Sequence, residues 1–148
     1  MGLFNSFDIN ASGLTAQRYR MDVISENIAN VDTTRTADGS PYRRKIVTFE
    51  EKGQGARFSD ALSRATGTYR GQGVRVIGTF DDMQTDLKMA YDPAHPDADE
   101  NGYVAYPNVD MMTEMTNLID ASRSYEANAT AFTASKNMAS KGLEMANG

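Results

Sequence analysis

The chain has no cysteine among its 148 residues. Disulfides, thiol catalysis and zinc–thiolate centres are therefore excluded, and a cysteine-free chain suits an oxidising space. Histidine occurs once, His95, inside "DPAHPDADE". A lone imidazole in a proline-stiffened loop has no partner with which to shuttle a proton. No apolar run approaches the ~18 residues of a membrane span. The opening stretch, "MGLFNSFDINASG", lacks the basic segment and apolar run of a secretory signal. A protein with this start leaves the cytoplasm, if it does, by a route without a cleaved leader. Gly71, Gly73 and Val76 miss the third glycine of a dinucleotide fingerprint, and neither a phosphate-loop lysine nor a G-x-S-x-G elbow is present. These absences predict a non-enzyme with no cofactor and no small-molecule substrate.

Charge is present and unevenly spread. The net charge is −5, which argues against general nucleic-acid binding. Residues 35–70 hold 8 basic and 4 acidic side chains, whereas residues 71–110 hold 2 and 8. The basic block, including "YRRK", is a candidate to meet the acidic block of the same or a neighbouring molecule. Hydrophobic residues make up 40% of the chain, and mean hydropathy is −0.53. A large buried core is not expected.

Both ends read as helix. From Leu3 to Ile28, apolar residues recur seven apart at Phe7, Leu14, Met21 and Ile28. Ile24 and Val31 lie on the adjoining row with Leu3, Asn10 and Gln17. A sustained seven-residue repeat favours a supercoiled seam, and polar residues within it fix register at a cost in stability. Asn30 is placed to end this helix with a left-handed cap. The last helix is expected from Val109 to Ala146. Pro107 precedes it, Asn108 is the predicted N-cap, and Asp110 complements the positive end of the dipole. One stripe holds Met111, Met115, Leu118, Ser122, Tyr125, Ala129, Phe132, Ala139 and Leu143, beside a row with Met138 and Met145. Such a helix is ~55 Å long. Its "ASRSYEANATAFTASKNMAS" stretch is rich in small residues, which let helices approach closely and favour several helical partners.

The middle reads as short strands at "YRRKIVTFEE", "GVRVIGTF", "DLKMAYDP" and "GYVAY". Residues 53–73 carry five glycines and no period, so a mobile loop is expected there, with a possible helical turn at 59–64. The fold class is α+β: long N- and C-terminal helices pairing as a coiled-coil-like axial domain around a small β-rich insert. The predicted divisions are 1–34, 35–106 and 107–148.

One stretch supports two chemistries. In "DADENGYVAYPN", Asp97, Asp99 and Asn101 occupy positions 1, 3 and 5 of a calcium loop, Gly102 position 6 and Tyr103 position 7. Position 12 is Asn108 instead of the bidentate glutamate, and Pro93 and Pro96 block an entering helix. Read otherwise, Asn101-Gly102 is a type I′ hairpin turn before a strand that aims the last helix. The turn accounts for more of the residues; a calcium-binding interaction module stands as the alternative.

"SGLTAQ" with "NIANVDTT" resembles the N-terminal signature of the flagellar rod, hook and related axial proteins, and "SPYRRKIVTFEE" resembles the segment that follows it. "HPDADENGYVAYPNV" is similar to the proximal rod members of that family, and "SRSYEAN" is shared more widely within it. The likeness covers about 1–52 and 86–148. It implies a structural subunit of the bacterial flagellar proximal rod that polymerises helically in the periplasmic span and transmits torque. It also implies passage through the flagellar export apparatus without a cleaved signal, and contacts with other rod subunits, with copies of itself and with basal-body ring or adaptor proteins. By that likeness the assembly surfaces are Phe7, Leu14, Met21, Ile24, Asn27, Ile28 and Asn30 on the first helix. On the last they are Met115, Leu118, Tyr125, Phe132 and Leu143.

Overall fold

A computed structural model describes residues 3–52, 62, 65–66 and 71–146. The expected helical turn at 59–64 and most of the 53–73 loop lie outside the described residues. The element order is α1 (Leu3–Ala29), β1 (Lys45–Glu51), β2 (Val74–Asp81), β3 (Lys88–Tyr91), β4 (Tyr103–Tyr106) and α2 (Met111–Ala146). This is the expected α+β arrangement, two long terminal helices with small antiparallel sheets between them. β1 pairs with β2 and β3 with β4. In the second pair Lys88 faces Tyr106 and Tyr91 faces Tyr103. No described helix is long and apolar enough to cross a membrane.

The chain divides into two compact units. The first comprises Met1–Tyr19, Phe49–Ile77 and Ala121–Gly148. Here the helical stretches of α1 and α2 pack together. Phe7 meets Phe132 edge to face, with ring centroids 5.1 Å apart, a geometry that adds to simple area burial. Ala16 and Ala121 are buried, as is Ser135, whose hydroxyl donates to the Ala131 carbonyl. Gly13 faces the Asn128 side chain so closely that an added Cβ would lie 2.9 Å from its Oδ1. The β1–β2 ladder is tied to α1 by Ser12, whose hydroxyl accepts from the Val74 N–H at 3.0 Å and donates to the Ile9 carbonyl at 2.7 Å.

The second unit comprises Arg20–Thr48 and Gly78–Asp120. Its buried residues include Val23, Ile24, Tyr42, Val104, Pro107 and Val109, together with Asn27, Asn108 and Glu114. Polar groups thus form a large share of this core, and each needs a partner.

Three expectations about helix and turn chemistry are corrected here. α2 is capped by Asp110, not Asn108. The Asp110 carboxylate accepts from the Thr113 N–H at 3.1 Å and from its hydroxyl, and the Asp110 carbonyl accepts the first helical bond, from Glu114. Asn108 is buried and serves the core instead. Asn30 does not take a left-handed cap, because no described non-glycine residue has positive φ. It ends α1 by donating both its backbone N–H and its side-chain amide to the Glu26 carbonyl, while its Oδ1 accepts from Thr33. For the same reason Asn101-Gly102 is not a type I′ turn, which requires positive φ at both residues. Gly102 alone has it, at +79°, and β3 and β4 are joined by a longer loop folded on Asp99.

Acid should loosen two of these turns. Hydrogen bonds from the Thr113 hydroxyl, then its N–H, hold Asp110 below the usual carboxylate range. The Thr85 hydroxyl and N–H do the same for Asp82. A depressed folded value means that the stabilisation is complete above about pH 4, the ordinary aspartate range, and is lost as pH falls through the folded value. Melting temperature should therefore drop between pH 5 and 3 by less in Asp110→Asn, which keeps a cap acceptor but does not titrate. An equal drop in the variant would show that the cap carboxylate contributes nothing to acid lability.

Candidate functional site: assembly surfaces and a buried polar junction

The second unit is held by a junction of four side chains. Asn27, 1% exposed, uses all the hydrogen-bonding capacity of its amide. Its Oδ1 accepts from the Lys45 N–H at 2.8 Å and the Tyr42 hydroxyl at 2.9 Å. Its Nδ2 donates to the Lys45 carbonyl at 2.9 Å and to Glu114 Oε2 at 3.0 Å. The amide therefore pairs with Lys45 as a neighbouring strand would, and fixes the end of α1 against the start of β1. Glu114 is fully buried. Its Oε1 accepts from Arg44 Nε at 2.8 Å and pairs with Nη2 at 2.7 Å. Burial, then the Glu26, Asp81 and Glu114 carboxylates, push the Tyr42 phenol far up, so it stays a neutral donor. Asn108 adds a second clamp: Oδ1 accepts from the Arg44 N–H at 2.8 Å, and Nδ2 donates to the Asp82 and Thr85 carbonyls. Lys88 closes the set by donating to the Val109 carbonyl.

Every partner here is structural. The 97–108 segment is also committed to internal bonds. Asp97 accepts from Thr34 and pairs with Arg35. Asp99 accepts from the N–H groups of Asn101 and Tyr103, and Asn108 is locked in the junction. Nothing in this geometry supports the calcium alternative, and among the described residues no group of three or more potential ligands is arranged around a metal position.

The twelve residues marked for assembly fall into three groups. Ile24 and Asn27 are buried inside the second unit. Phe7, Leu14, Met21, Ile28, Asn30, Leu118, Tyr125 and Phe132 are half-buried. Met115 and Leu143 are exposed, 51% and 66%. The pattern on α2 has an unanticipated twist. Its buried positions Glu114, Ala121 and Ser135 are small or polar and fall on one seven-residue spacing with Asn128, whereas Met111, Met112, Met115, Ile119, Met138, Leu143 and Met145 face solvent. Sequence reading missed Glu114 altogether and marked Tyr42 and Arg44 only as part of the basic "YRRK" run. The available signal is the seven-spacing of Glu114, Ala121, Asn128 and Ser135, which a periodicity weighted by apolar size does not register.

Comparison with known proteins decides the family. A family model described as "Flagella basal body rod protein" matches residues 7–35. One described as "Flagellar basal body rod FlgEFG protein C-terminal" matches residues 100–145. The chain is 46% identical to the flagellar basal-body rod protein FlgC of Borreliella burgdorferi, over 100% of both chains. It is 47% identical to that of Bacillus subtilis, over 98% of this chain and 99% of the relative. The chain belongs to the FlgC family of flagellar basal-body rod proteins. The FlgC protein of Escherichia coli O6:H1 is 41% identical over 98% of both chains, so the whole length, not one motif, carries the relation. The chain is thus a structural component of the flagellar basal body. The polar junction is architecture for a FlgC subunit, and the solvent-facing methionines are its unspent apolar surface.

Proposed function

We propose that this chain is a subunit of the proximal rod, which polymerises helically with copies of itself and with other rod subunits, spans the periplasm and transmits torque. In this reading it passes the flagellar export apparatus and meets basal-body ring or adaptor proteins at the rod base. Residues 1–34 and 107–148 serve as axial segments and 35–106 as the insert. One observation carries the reading: α2 buries Glu114, Ala121 and Ser135 and leaves Met111, Met112, Met115, Ile119, Met138, Leu143 and Met145 exposed. Exposed apolar area of that extent on one helix marks an interaction face. Met115, Leu143 and the half-buried Phe7, Leu14, Met21, Ile28, Asn30, Leu118, Tyr125 and Phe132 supply contact surface, while Ile24 and Asn27 act from within by holding α1 in place.

Met115→Asp and Leu143→Asp test this. Both positions face solvent, so stability should stay within about 0.5 kcal/mol of the parent. Incorporation into purified basal bodies should fall sharply, because assembly would bury an uncompensated charge. Normal swimming and normal incorporation by both variants would mean that the α2 face stays in water in the rod.

A further inference from the structure

The first turns of α2 carry a stripe of thioethers. Met111 and Met115 are four residues apart, as are Met115 and Ile119, and Met112 and Met115 are three apart. That spacing puts all four side chains on one face of the helix. Met111, Met112 and Met115 are 37%, 73% and 51% exposed, and Ile119 is exposed beside them. The stripe lies wholly within the second unit. It is also held in place. Glu114, on the inner side of the same turn, is fully buried against Arg44 and Asn27, and Asp110 caps the helix at Thr113. The buried junction therefore fixes the rotation of α2 and keeps the three sulfurs in water.

The chain has neither cysteine nor tryptophan, so methionine thioethers are its most readily oxidised side chains. An oxidant must reach the sulfur to react. Met21, on α1, is half-buried and less accessible than the α2 stripe. The product of two-electron oxidation, the sulfoxide, replaces a flexible apolar group by a polar hydrogen-bond acceptor. On a solvent-facing position that change leaves the fold undisturbed. On a face that must be covered by another protein, it adds a group whose hydration has to be removed.

We propose that Met111, Met112 and Met115 form an oxidation-sensitive site that controls assembly: a peroxide converts their thioethers to sulfoxides, which leaves the subunit folded and keeps it out of the rod. The inference rests on the rod-subunit reading and adds a regulation of the α2 face. In the reaction the sulfur lone pair attacks one oxygen of hydrogen peroxide. An S–O bond forms and the O–O bond breaks. The departing hydroxide takes the proton of the transferred hydroxyl and leaves as water. Sulfur gives up two electrons, and the peroxide accepts them.

The reactivity is tested on the purified full chain with hydrogen peroxide, followed by mass spectrometry of its peptides. Sulfoxide should appear at Met112 and Met115 several-fold faster than at Met21, with the circular dichroism and urea midpoint of the parent retained. Equal rates, or a lowered midpoint, overturn a site separable from the fold. The consequence is tested by replacing Met111, Met112 and Met115 together, with glutamine as a polar mimic of the sulfoxide or with leucine, which does not oxidise. The glutamine chain should enter purified basal bodies several-fold less than the leucine chain, the two being equally stable to urea. Equal entry, or a less stable glutamine chain, overturns the control of assembly. Finally, the leucine chain and the parent are co-expressed in cells lacking methionine sulfoxide reductases, and hydrogen peroxide is added while new basal bodies form. The ratio of leucine chain to parent in basal bodies should rise several-fold over its value without peroxide. An unchanged ratio, or unassembled parent without sulfoxide at these positions, overturns the proposal and leaves the rod reading standing. Absence of the parent from basal bodies of untreated cells overturns the rod reading itself.

Discussion

Glu114→Ala should be the most damaging single substitution in the second unit, lowering its stability by about 3–5 kcal/mol. The carboxylate is fully buried and meets two guanidinium nitrogens of Arg44, Nε and Nη2, and one amide hydrogen of Asn27. Its removal leaves a half-buried cation and a buried donor without a partner, and the penalty is their desolvation, not merely the loss of an attraction. Urea or guanidinium denaturation of the purified chain, followed by the fluorescence of the tyrosines and by circular dichroism, measures it. The decisive control is Arg44→Met with Glu114→Leu. Replacing both members by apolar residues of similar volume should recover most of the loss. A double variant as unstable as Glu114→Ala would mean that the ion pair does more than satisfy itself, and that Asn27 depends on the carboxylate for its own geometry. Lost Asn27 contacts would then appear as non-additivity between Glu114→Ala and Asn27→Ala.

Gly73→Ala should cost the first unit about 2–4 kcal/mol, from left-handed strain and a broken hydrogen bond together. Gly73 has φ of +97°, where an L side chain is strained whatever the surrounding space. An added methyl would also fall on the Ser12 hydroxyl and lie 3.3 Å from the Ile9 Cα, which cannot move without bending α1. Ser12 is the residue that ties α1 to β2 through Val74, so the collision strikes the tie directly. Gly78→Ala is the matched comparison. It lies within β2, which Gly73 immediately precedes, and has no positive φ; its added Cβ meets only the Phe80 ring at ordinary contact distance. A denaturation midpoint for Gly73→Ala equal to that of Gly78→Ala would remove the argument for a strained, crowded position. The Ser12→Ala variant should show a smaller loss, about 1 kcal/mol, because it removes the bond without the strain.

Much of this protein is legible in its sequence. The seven-residue recurrence of Phe7, Leu14, Met21 and Ile28 located α1 to within a residue of its end, since helix periodicity is a local property of the chain. Pro107 and the carboxylate at Asp110 locate the start of α2 for the same reason, although the same local rule offers Asn108 as the cap. Asparagine is as good a cap as aspartate in isolation, and what removed it from that duty was the Arg44 N–H and two carbonyls from the 82–85 turn, none of them near it in sequence. The type I′ expectation failed similarly: Asn101-Gly102 is a hairpin signal only when strands flank it closely, and the Asp99 carboxylate gathers the Asn101 and Tyr103 N–H groups into a different turn.

The sequence by itself determined the two helices, the strands between them, the absence of thiol chemistry and the likeness to flagellar axial proteins. All of these follow from composition, from short-range periodicity or from motifs whose residues lie close together. Only the tertiary structure decided that Asn27, Arg44 and Glu114 meet, that α2 buries its small and polar row, and that its methionines look outward. The reason is that burial is set by what arrives from elsewhere in the chain. Asn27 and Glu114 stand 87 positions apart, and no local pattern records that a carboxylate and an amide so distant will exclude water together.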